Sequence, residues 1–357
     1  MNIKNLIKLA QIPLEIPNNI EELLHKLIEE KQTFINNIET LKTITNSLVS
    51  GKHVVLYGPV GTGKTKLTRE IAKIFNVDIE IANVGENWES PDELIGYKTL
   101  SNEEVKLNKG YLLKALEKCY LNIEKELNSP YTLKNSKQAC WLILDEMNRG
   151  NINRYLSSLI TALEPLRNNI NQKDLKEIYK ISVDTGKEII EISIPRRFRI
   201  IGTINTFDMN FLYSFASALE GRRINFIPVN PPDDINYEIE IIQNILLNEF
   251  PKVNKKVFES LIEKIKFLRE SLNNTGLIIG TAIFIDIGRE SINYYNLFRE
   301  EKVFKILDNV SSVILPPIIR KLNINIRNQV IDFLRKNDFS KTTEAINILL
   351  SDFIEEI

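Results

Sequence analysis

Residues 58–65 read Gly-Pro-Val-Gly-Thr-Gly-Lys-Thr and match the spacing G-x-x-x-x-G-K-[ST], which is typical of a loop that binds phosphate groups. The apolar run HVVLY precedes this loop, and a stretch with helical spacing of its apolar residues follows it. Glycines let successive backbone N–H groups point at phosphate oxygens, and the helix N-terminus adds partial positive charge. Lys64 is expected to neutralise the β- and γ-phosphates, and Thr65 to bind Mg²⁺. The predicted nucleotide-binding residues are Gly58, Pro59, Val60, Gly61, Thr62, Gly63, Lys64 and Thr65.

A pair of acidic residues, Asp145 and Glu146, follows the apolar run WLIL. An acidic pair there could be only a polar strand end, but a phosphate-binding loop upstream favours a catalytic interpretation. Asp145 then holds Mg²⁺ together with Thr65, while Glu146 orients and deprotonates the attacking water.

A third apolar run, RIIGTIN, ends at Asn205. Because the carboxyl ends of parallel strands meet at one edge of a sheet, this amide is expected beside the acidic pair. It could hydrogen-bond the attacking water or the γ-phosphate. The alternative is that Asn205 and Asp208 only cap the next helix.

Two arginines, Arg222 and Arg223, follow the helical stretch FLYSFASALEG. They could complement the dipole of that helix as solvated side chains. Alternatively, one of them is an arginine finger that reaches the γ-phosphate bound by a neighbouring subunit. The finger interpretation requires a ring of subunits.

The elements that must position these residues alternate between strand-like and helix-like patterns, which predicts an α/β fold with a parallel sheet. We expect a helical N-terminal segment at 1–48 and an α/β nucleotide-binding domain at 49–232. Insertions near 85–135 and 170–195 interrupt that domain, the second as a hairpin. Helical periodicity from 233 to 357 predicts a helical C-terminal domain.

The chain has 357 residues, of which 43% are hydrophobic and 26% charged, as in ordinary globular proteins of two or three packed units. Its net charge of -1 gives no global attraction to nucleic acid, so direct nucleic-acid binding is left open. The sequence lacks a membrane-span or signal-peptide pattern, and we expect a cytoplasmic protein without membrane contact. Cys119 and Cys140 are expected to be reduced packing residues, and His25 and His53 to be solvated.

Four segments together resemble the AAA+ ATPases of the McrB-like and MoxR-like, dynein-related branch. They are LYGPVGTGKT, LILDEMNRGNINRYLSSLITALEP, FRIIGTINTFDMNFLYSFASAL followed by GRR, and IIGTAIFID. The resemblance implies a P-loop AAA+ fold, a three-layer αβα sandwich with a parallel sheet, followed by an all-helical lid. The residues that it assigns to the hydrolysis site are Lys64, Thr65, Asp145, Glu146, Asn205, Arg222 and Arg223.

The sequence departs from the family pattern at three places. Met209 follows Asp208 where the McrB signature has an arginine, so ATP and GTP both stay open as the nucleotide. An extra Gly221 precedes the two arginines and leaves open which one points across the interface. Arg289 has no secure match to a second-sensor arginine, and the alternative is a surface residue.

The resemblance further implies ATP or GTP with Mg²⁺ as cofactors, and hydrolysis between the subunits of a homo-oligomer, expected to be a hexameric ring. Within this family we favour the motor of a McrBC-like restriction or defence assembly whose nuclease subunit is a separate protein. One alternative is a MoxR-like chaperone that remodels a client protein. Another is a nucleotide-gated scaffold with little turnover.

Overall fold

The computed structural model of the protein describes residues 8–101, 104–128, 136–156, 159, 179–186, 188–205, 224–300 and 302–351. The predicted helix at 211–219 and the candidate residues Asp208, Arg222 and Arg223 lie outside these described residues. By its internal contacts the chain divides into two compact units, and each unit is made of three separate segments of the sequence. Unit 1 comprises Met1–Gln32, Ile38–Gly58 and Lys64–Pro228, and unit 2 comprises Thr33–Asn37, Pro59–Gly63 and Val229–Ile357.

Unit 1 is built on a parallel β-sheet. In chain order, the strands are β1 (His53–Gly58), β2 (Asp78–Asn83), β3 (Gly96–Ser101), β4 (Glu104–Lys109), β5 (Cys140–Asp145), β6 (Tyr179–Asp184), β7 (Ile189–Ile194), β8 (Ile200–Asn205) and β9 (Ile224–Pro228). Five of them form one sheet in the order β2-β5-β8-β1-β9, with every neighbouring pair parallel. Three of the six residues of β1 and five of the six in β5 are apolar and buried, as expected of strands covered on both faces.

Unit 1 also contains helices, several of which pack against this sheet. They are α1 (Ile20–Glu29), α2 (Ile38–Val49), α3 (Lys64–Ile74), α4 (Asp92–Ile95), α5 (Tyr111–Asn128) and α6 (Ile152–Tyr155). Helix α2 contacts β1 and β9, α3 contacts four strands of the sheet, and α5 contacts β2 and β5. The predicted α/β sandwich with a parallel sheet is confirmed.

Unit 2 is helical in its C-terminal part, as predicted. Its helices are α7 (Ile235–Glu249), α8 (Lys255–Asn274), α9 (Thr281–Phe298), α10 (Val303–Ile314), α11 (Pro316–Arg320), α12 (Ile324–Lys336) and α13 (Ser340–Ser351). Side-chain caps define where three of them begin, because Asp234, Asn254 and Asn323 accept hydrogen bonds from first-turn N–H groups. No helix in the described part of the chain is both long and apolar enough to cross a membrane.

The N-terminal lead-in differs from the single helical stretch that the apolar spacing from Ile20 to Leu48 suggests. Helix α1 ends at Glu29, and Lys31 follows in the left-handed conformation with φ 53°. A left-handed residue just beyond the last turn ends a helix. The helical period continues in α2, so the periodicity is correct and only the break is missed.

Both insertions carry hairpins. The predicted hairpin is confirmed as the antiparallel pair β6 and β7. The first insertion carries a second antiparallel pair, β3 and β4, which the sequence analysis does not predict. Lys98 of β3 forms an ion pair with Asp184 of β6, which joins the two hairpins. The alternation in the first pair is too polar to be recognised as strand from sequence.

His53 is not solvated as expected from the sequence. It is the first residue of β1, is buried, and its Nδ1 accepts the backbone N–H of Ile200 at 3.0 Å. The imidazole supplies a hydrogen bond at the start of β8 that a backbone carbonyl would otherwise provide.

Arg197 ties three segments of unit 1 together. Its side chain is 2% exposed and forms an ion pair with Glu126. The guanidinium also donates from Nε to the Pro13 carbonyl oxygen at 2.7 Å and from Nη1 to the Gln138 carbonyl oxygen at 3.2 Å. A planar guanidinium with five donors suits such a set of acceptors.

Replacing Arg197 by Met is expected to lower the free energy of unfolding by about 3–5 kcal/mol, because Glu126 and two carbonyl groups lose their donor. Urea denaturation followed by circular dichroism measures the change. The matched control is Arg154→Met, whose ion pair with Glu89 is exposed on both sides and is worth at most about 1 kcal/mol. Equal denaturation midpoints for the two variants would contradict this account of Arg197.

Candidate functional site

The loop at 58–65 joins the end of β1 to the start of α3. Lys64, the first residue of α3, is 6% exposed, and its Nζ donates to the Gly58 carbonyl oxygen at 3.0 Å. Within the loop, Thr62 Oγ1 donates to the Pro59 carbonyl oxygen at 3.1 Å. Helix α3 has no acidic residue in its first turn, so no carboxylate of its own offsets the positive end of its dipole. Its N-terminus is therefore suited to an anion.

Gly63 is required by both its backbone and its surroundings. Its φ is +77°, in the left-handed region. A Cβ there would lie 2.7 Å from Cδ2 of the Phe34 ring, closer than side chains approach one another. The loop therefore cannot accept a side chain at this position without moving Phe34.

The charge state of Lys64 is perturbed in a direction that suits an anionic ligand. Burial lowers the pKa of its ammonium group to about 8, while the carboxylates of Asp145 and Glu146 oppose this change. A phosphate group beside Nζ would favour the protonated form and raise the pKa again. Lys64 is thus a cation whose charge the fold leaves only partly compensated.

Asp145 ends β5 and lies against the loop helix. Its Oδ1 accepts two hydroxyl hydrogen bonds, from Thr65 Oγ1 at 2.5 Å and from Thr203 Oγ1 at 2.6 Å. Thr203 Oγ1 also accepts the backbone N–H of Glu146 at 2.9 Å. The sequence interpretation missed Thr203. The available signal was its position in β8 two residues before Asn205, because residues i and i+2 of a strand share a face.

Glu146 has a strained backbone conformation, and two other side chains contact its carboxylate. Its φ is +51°, which is uncommon for a residue other than glycine. Asn205 Nδ2 donates to its Oε1 at 3.2 Å, and Arg149 Nε lies 2.9 Å from its Oε2. Arg149 was also missed from sequence, although three-residue spacing brings side chains together in a turn as in a helix.

The sheet register brings most of the sequence-predicted site residues to one edge. Gly58 pairs with Asn205 in the ladder of β1 and β8, and Asp145 ends the ladder of β5 and β2. Lys64 and Thr65 follow β1 at the same edge. The six residues that cluster in unit 1 are Gly58, Lys64, Thr65, Asp145, Glu146 and Asn205. Pro59–Gly63 pack within unit 2.

The oxygen groups at this edge are of the kind that hard cations such as Mg²⁺ prefer. Among the described residues, no group of three or more His, Cys, Asp or Glu side chains could hold a metal ion. Mg²⁺ does not need such a cage, because it keeps several waters and takes one or two protein oxygens together with substrate phosphates. The Thr65 hydroxyl and the Asp145 carboxylate, 2.5 Å apart, are oxygen ligands of that kind.

Arg289 lies in helix α9 of unit 2, where carboxylates of the same unit engage its side chain. Its Nε and Nη2 donate to the two carboxylate oxygens of Glu249 at 2.7 and 2.8 Å, and Nη1 donates to Asp286 at 2.5 Å. This bidentate geometry occupies the guanidinium, as expected for a surface arginine rather than a sensor. The two cysteines, Cys119 and Cys140, are free and buried, as predicted.

The sequence matches the family model of the AAA domain of the dynein-related subfamily over residues 53–222. It is 22% identical over 252 residues to the type IV methyl-directed restriction enzyme EcoKMcrB subunit of Escherichia coli (strain K12), covering 69% of this chain and 49% of that protein. It is 31% identical over 93 residues to the uncharacterized protein YojN of Bacillus subtilis (strain 168), covering 24% of this chain and 30% of that protein. This chain therefore spans about half of the first relative and less of the second.

Two solved structures of RuvB from Thermotoga maritima are also similar. A point mutant has a TM-score of 0.46 at 14% identity, covering 89% of this chain and 90% of that chain. The structure described as the Holliday junction branch migration motor has a TM-score of 0.41 at 16% identity, covering 79% and 72%.

Replacing Thr203 by Val is expected to cost about 1–3 kcal/mol of unfolding free energy, because the buried N–H of Glu146 loses its acceptor and Asp145 loses a donor. Thr203→Ser keeps the hydroxyl and should retain most of that stability. Urea denaturation of both variants makes the comparison. A Val variant as stable as the Ser variant would show that these two hydrogen bonds do not hold the site.

Proposed function

We propose that this chain is an AAA+ protein of the McrB-like branch, because its residues 53–222 match the AAA domain of the dynein-related subfamily, and that it hydrolyses ATP with Mg²⁺ between the subunits of an oligomeric ring. AAA+ proteins in general hydrolyse nucleotides. ATP as the nucleotide and the ring itself are parts of the proposal. The domain boundaries at residues 48 and 232 and the role of each site residue are also parts of the proposal.

The observation that carries the proposal is the shared oxygen of Asp145. A hydroxyl of the loop helix and a hydroxyl of β8 both donate to Oδ1, and β8 also supplies the amide that contacts Glu146. A phosphate-binding loop, a carboxylate for the metal and a carboxylate for the attacking water are thus connected by direct contacts. Phosphoryl transfer needs this combination of positioning and electrostatic stabilisation.

In the proposed mechanism, backbone N–H groups of the loop bind the phosphates and Lys64 Nζ neutralises their charge. Thr65 and Asp145 would hold Mg²⁺, which would supply positive charge next to the phosphates when bound. Glu146 accepts the proton of the attacking water at one of its carboxylate oxygens. Asn205 fixes the direction of that carboxylate, because its amide donates to Oε1.

The transition state carries more charge than these residues neutralise, and we propose that an arginine of the neighbouring subunit completes the site. Arg222 and Arg223 are the candidates from sequence. An arginine supplied in trans couples hydrolysis to assembly, because an isolated subunit lacks it. A hexameric ring is the arrangement that we propose.

We propose that this chain is the motor of a restriction or defence assembly, and that the nuclease of the assembly is a separate partner protein. Support comes from the similarity to the EcoKMcrB subunit, whose name describes a methyl-directed restriction enzyme. Affinity purification of the full chain from its native cells tests this use. A co-purifying nuclease supports it, and a co-purifying client protein without nuclease activity favours a remodelling ATPase instead.

Lys64→Ala is expected to abolish nucleotide binding. In the unmodified protein, affinity should fall as pH rises through about 8, since the complex holds its proton more tightly than the free protein. The loss can reach about tenfold per pH unit above the free pKa. Titration with a fluorescent nucleotide measures affinity at each pH.

Lys64→Arg is the control for this pH dependence, because a guanidinium stays protonated throughout the range. Its affinity should be flat with pH whatever its absolute value. A flat profile in the unmodified protein would contradict a titrating Lys64 at the phosphates.

Glu146→Gln is expected to keep nucleotide binding and to lower phosphate release by about 10²-fold or more, because an amide cannot accept the proton of water. Light scattering should show a larger assembly with ATP bound in this variant.

Arg222→Ala and Arg223→Ala should lower turnover without weakening binding by single subunits. Unchanged phosphate release in Glu146→Gln would favour a scaffold, and normal turnover in the double arginine variant would exclude the finger.

A further inference from the structure

Unit 2 contains a close backbone contact between the loop residues Pro59–Gly63 and the start of helix α9. The N–H of Gly280 donates to the Val60 carbonyl oxygen at 2.9 Å, and the N–H of Ala282 donates to the Gly61 carbonyl oxygen at 3.0 Å. Helix α9 has no side-chain cap at its N-terminus. Loop carbonyls therefore serve as acceptors for N–H groups that a helix start leaves unpaired.

These two hydrogen bonds also fix the direction of the loop N–H groups. In a planar trans peptide, the carbonyl oxygen and the N–H of the next residue point to opposite sides. Because the Val60 and Gly61 carbonyls point at α9, the N–H groups of Gly61 and Thr62 point away from it. Those N–H groups belong to the part of the loop that is proposed to bind phosphate.

Gly280 is a glycine because of this contact and not because of its own backbone. Its φ of -79° and ψ of 158° are accessible to any residue. A Cβ at this position would lie 2.0 Å from the carbonyl carbon of Gly61 and 2.2 Å from the Thr62 nitrogen, and both are backbone atoms. Gly276, four residues earlier, has φ +81°, and a Cβ there would make only an ordinary contact with Ile326 at 3.9 Å. The segment thus offers one glycine required by contact and one required by conformation.

A buried network anchors α9 at the same point. Thr281 Oγ1 donates to Glu238 Oε1 at 2.8 Å, and Arg269 Nε donates to Glu238 Oε2 at 2.8 Å. Glu238 and Thr281 are 0% exposed and Arg269 is 2% exposed. Helices α7, α8 and α9 are therefore tied together beside the residue that touches the loop.

The network is not explained by stability alone. Burial raises the pKa of the Glu238 carboxyl group, although Arg269 and the Thr281 hydroxyl lower it. Arg269 Nη1 is buried and finds no hydrogen-bond partner among the described residues. Buried ion pairs are often no more stable than apolar side chains of similar volume, and a retained pair of this kind fixes one arrangement of the helices.

We propose that Gly280 and the network of Glu238, Arg269 and Thr281 form a positioning element, which holds the loop so that its N–H groups face the phosphates. The inference rests on the proposed function, because it concerns the same nucleotide. It assigns this task to backbone contacts of α9, whose Ile283 also lies beside the loop at Gly61. The arrangement links the position of the helices in unit 2 to the affinity for nucleotide.

Gly280→Ala in the full chain tests the element, with Gly276→Ala as the matched control. A displaced loop is expected to weaken binding of a fluorescent ATP analogue about tenfold or more. Gly276→Ala strains its own backbone but should bind ATP within about twofold of the unmodified protein. Equal affinities in the Gly280 and Gly276 variants would overturn the proposal. If the unmodified protein itself fails to bind, the proposed function fails.

Thr281→Val and Thr281→Ser test the anchor. The Val variant should raise KM for ATP more than it lowers kcat and should speed hydrogen exchange at the amides of Gly61 and Thr62. The Ser variant keeps the hydroxyl and should restore both. Circular dichroism shows whether the Val variant is folded. If it is folded, the comparison of its KM with that of the Ser variant decides whether the Thr281 hydroxyl positions the loop. If the Ser variant is stable and its KM matches that of a folded Val variant, Thr281 does not position the loop.

Discussion

A loop that presents backbone N–H groups to a ligand on one side must place its carbonyl oxygens on the other, and each of those oxygens needs a donor. Four successive carbonyls of this loop have one. Lys64 Nζ donates to Gly58, and the Thr62 hydroxyl donates to Pro59. The backbone N–H groups of Gly280 and Ala282 donate to Val60 and Gly61. The shape of the loop is therefore set by partners far away in sequence as well as by its glycines.

The difference between local motifs and contacts from distant segments explains how much of the site could be predicted from the sequence. Local chemistry was readable, since the loop motif, the acidic pair and the amide at the end of β8 each lie beside an apolar strand. The structure brings them to one edge of the sheet as expected. Thr203 and Gly280 were not recognised, because their importance comes from pairings between distant segments. A threonine within an apolar run and a glycine before a helix have ordinary explanations when taken alone.

The fold shows the same limit. Apolar runs in the sequence predicted β1, β5 and β8 to within one or two residues, and helical periodicity predicted the helical C-terminal part. The hairpin of β3 and β4 and the break between α1 and α2 were missed. In the hairpin the strand signal is weak, because exposed polar residues alternate with few apolar ones. At the break, a single left-handed lysine interrupts a period that otherwise continues.

The turn after β5 shows why strain belongs at this edge. In an extended strand, Asp145 and Glu146 would point to opposite faces of the sheet. The left-handed conformation of Glu146 costs about 1 kcal/mol or more, and the surrounding contacts must hold it there. Thr203 does so through one hydroxyl, which donates to the carboxylate of Asp145 and accepts the N–H of Glu146. Two residues further along β8, Asn205 contacts the Glu146 carboxylate. A single strand face therefore sets the directions of both carboxylates, so the proposed metal ligand and the proposed base are coupled to each other through β8.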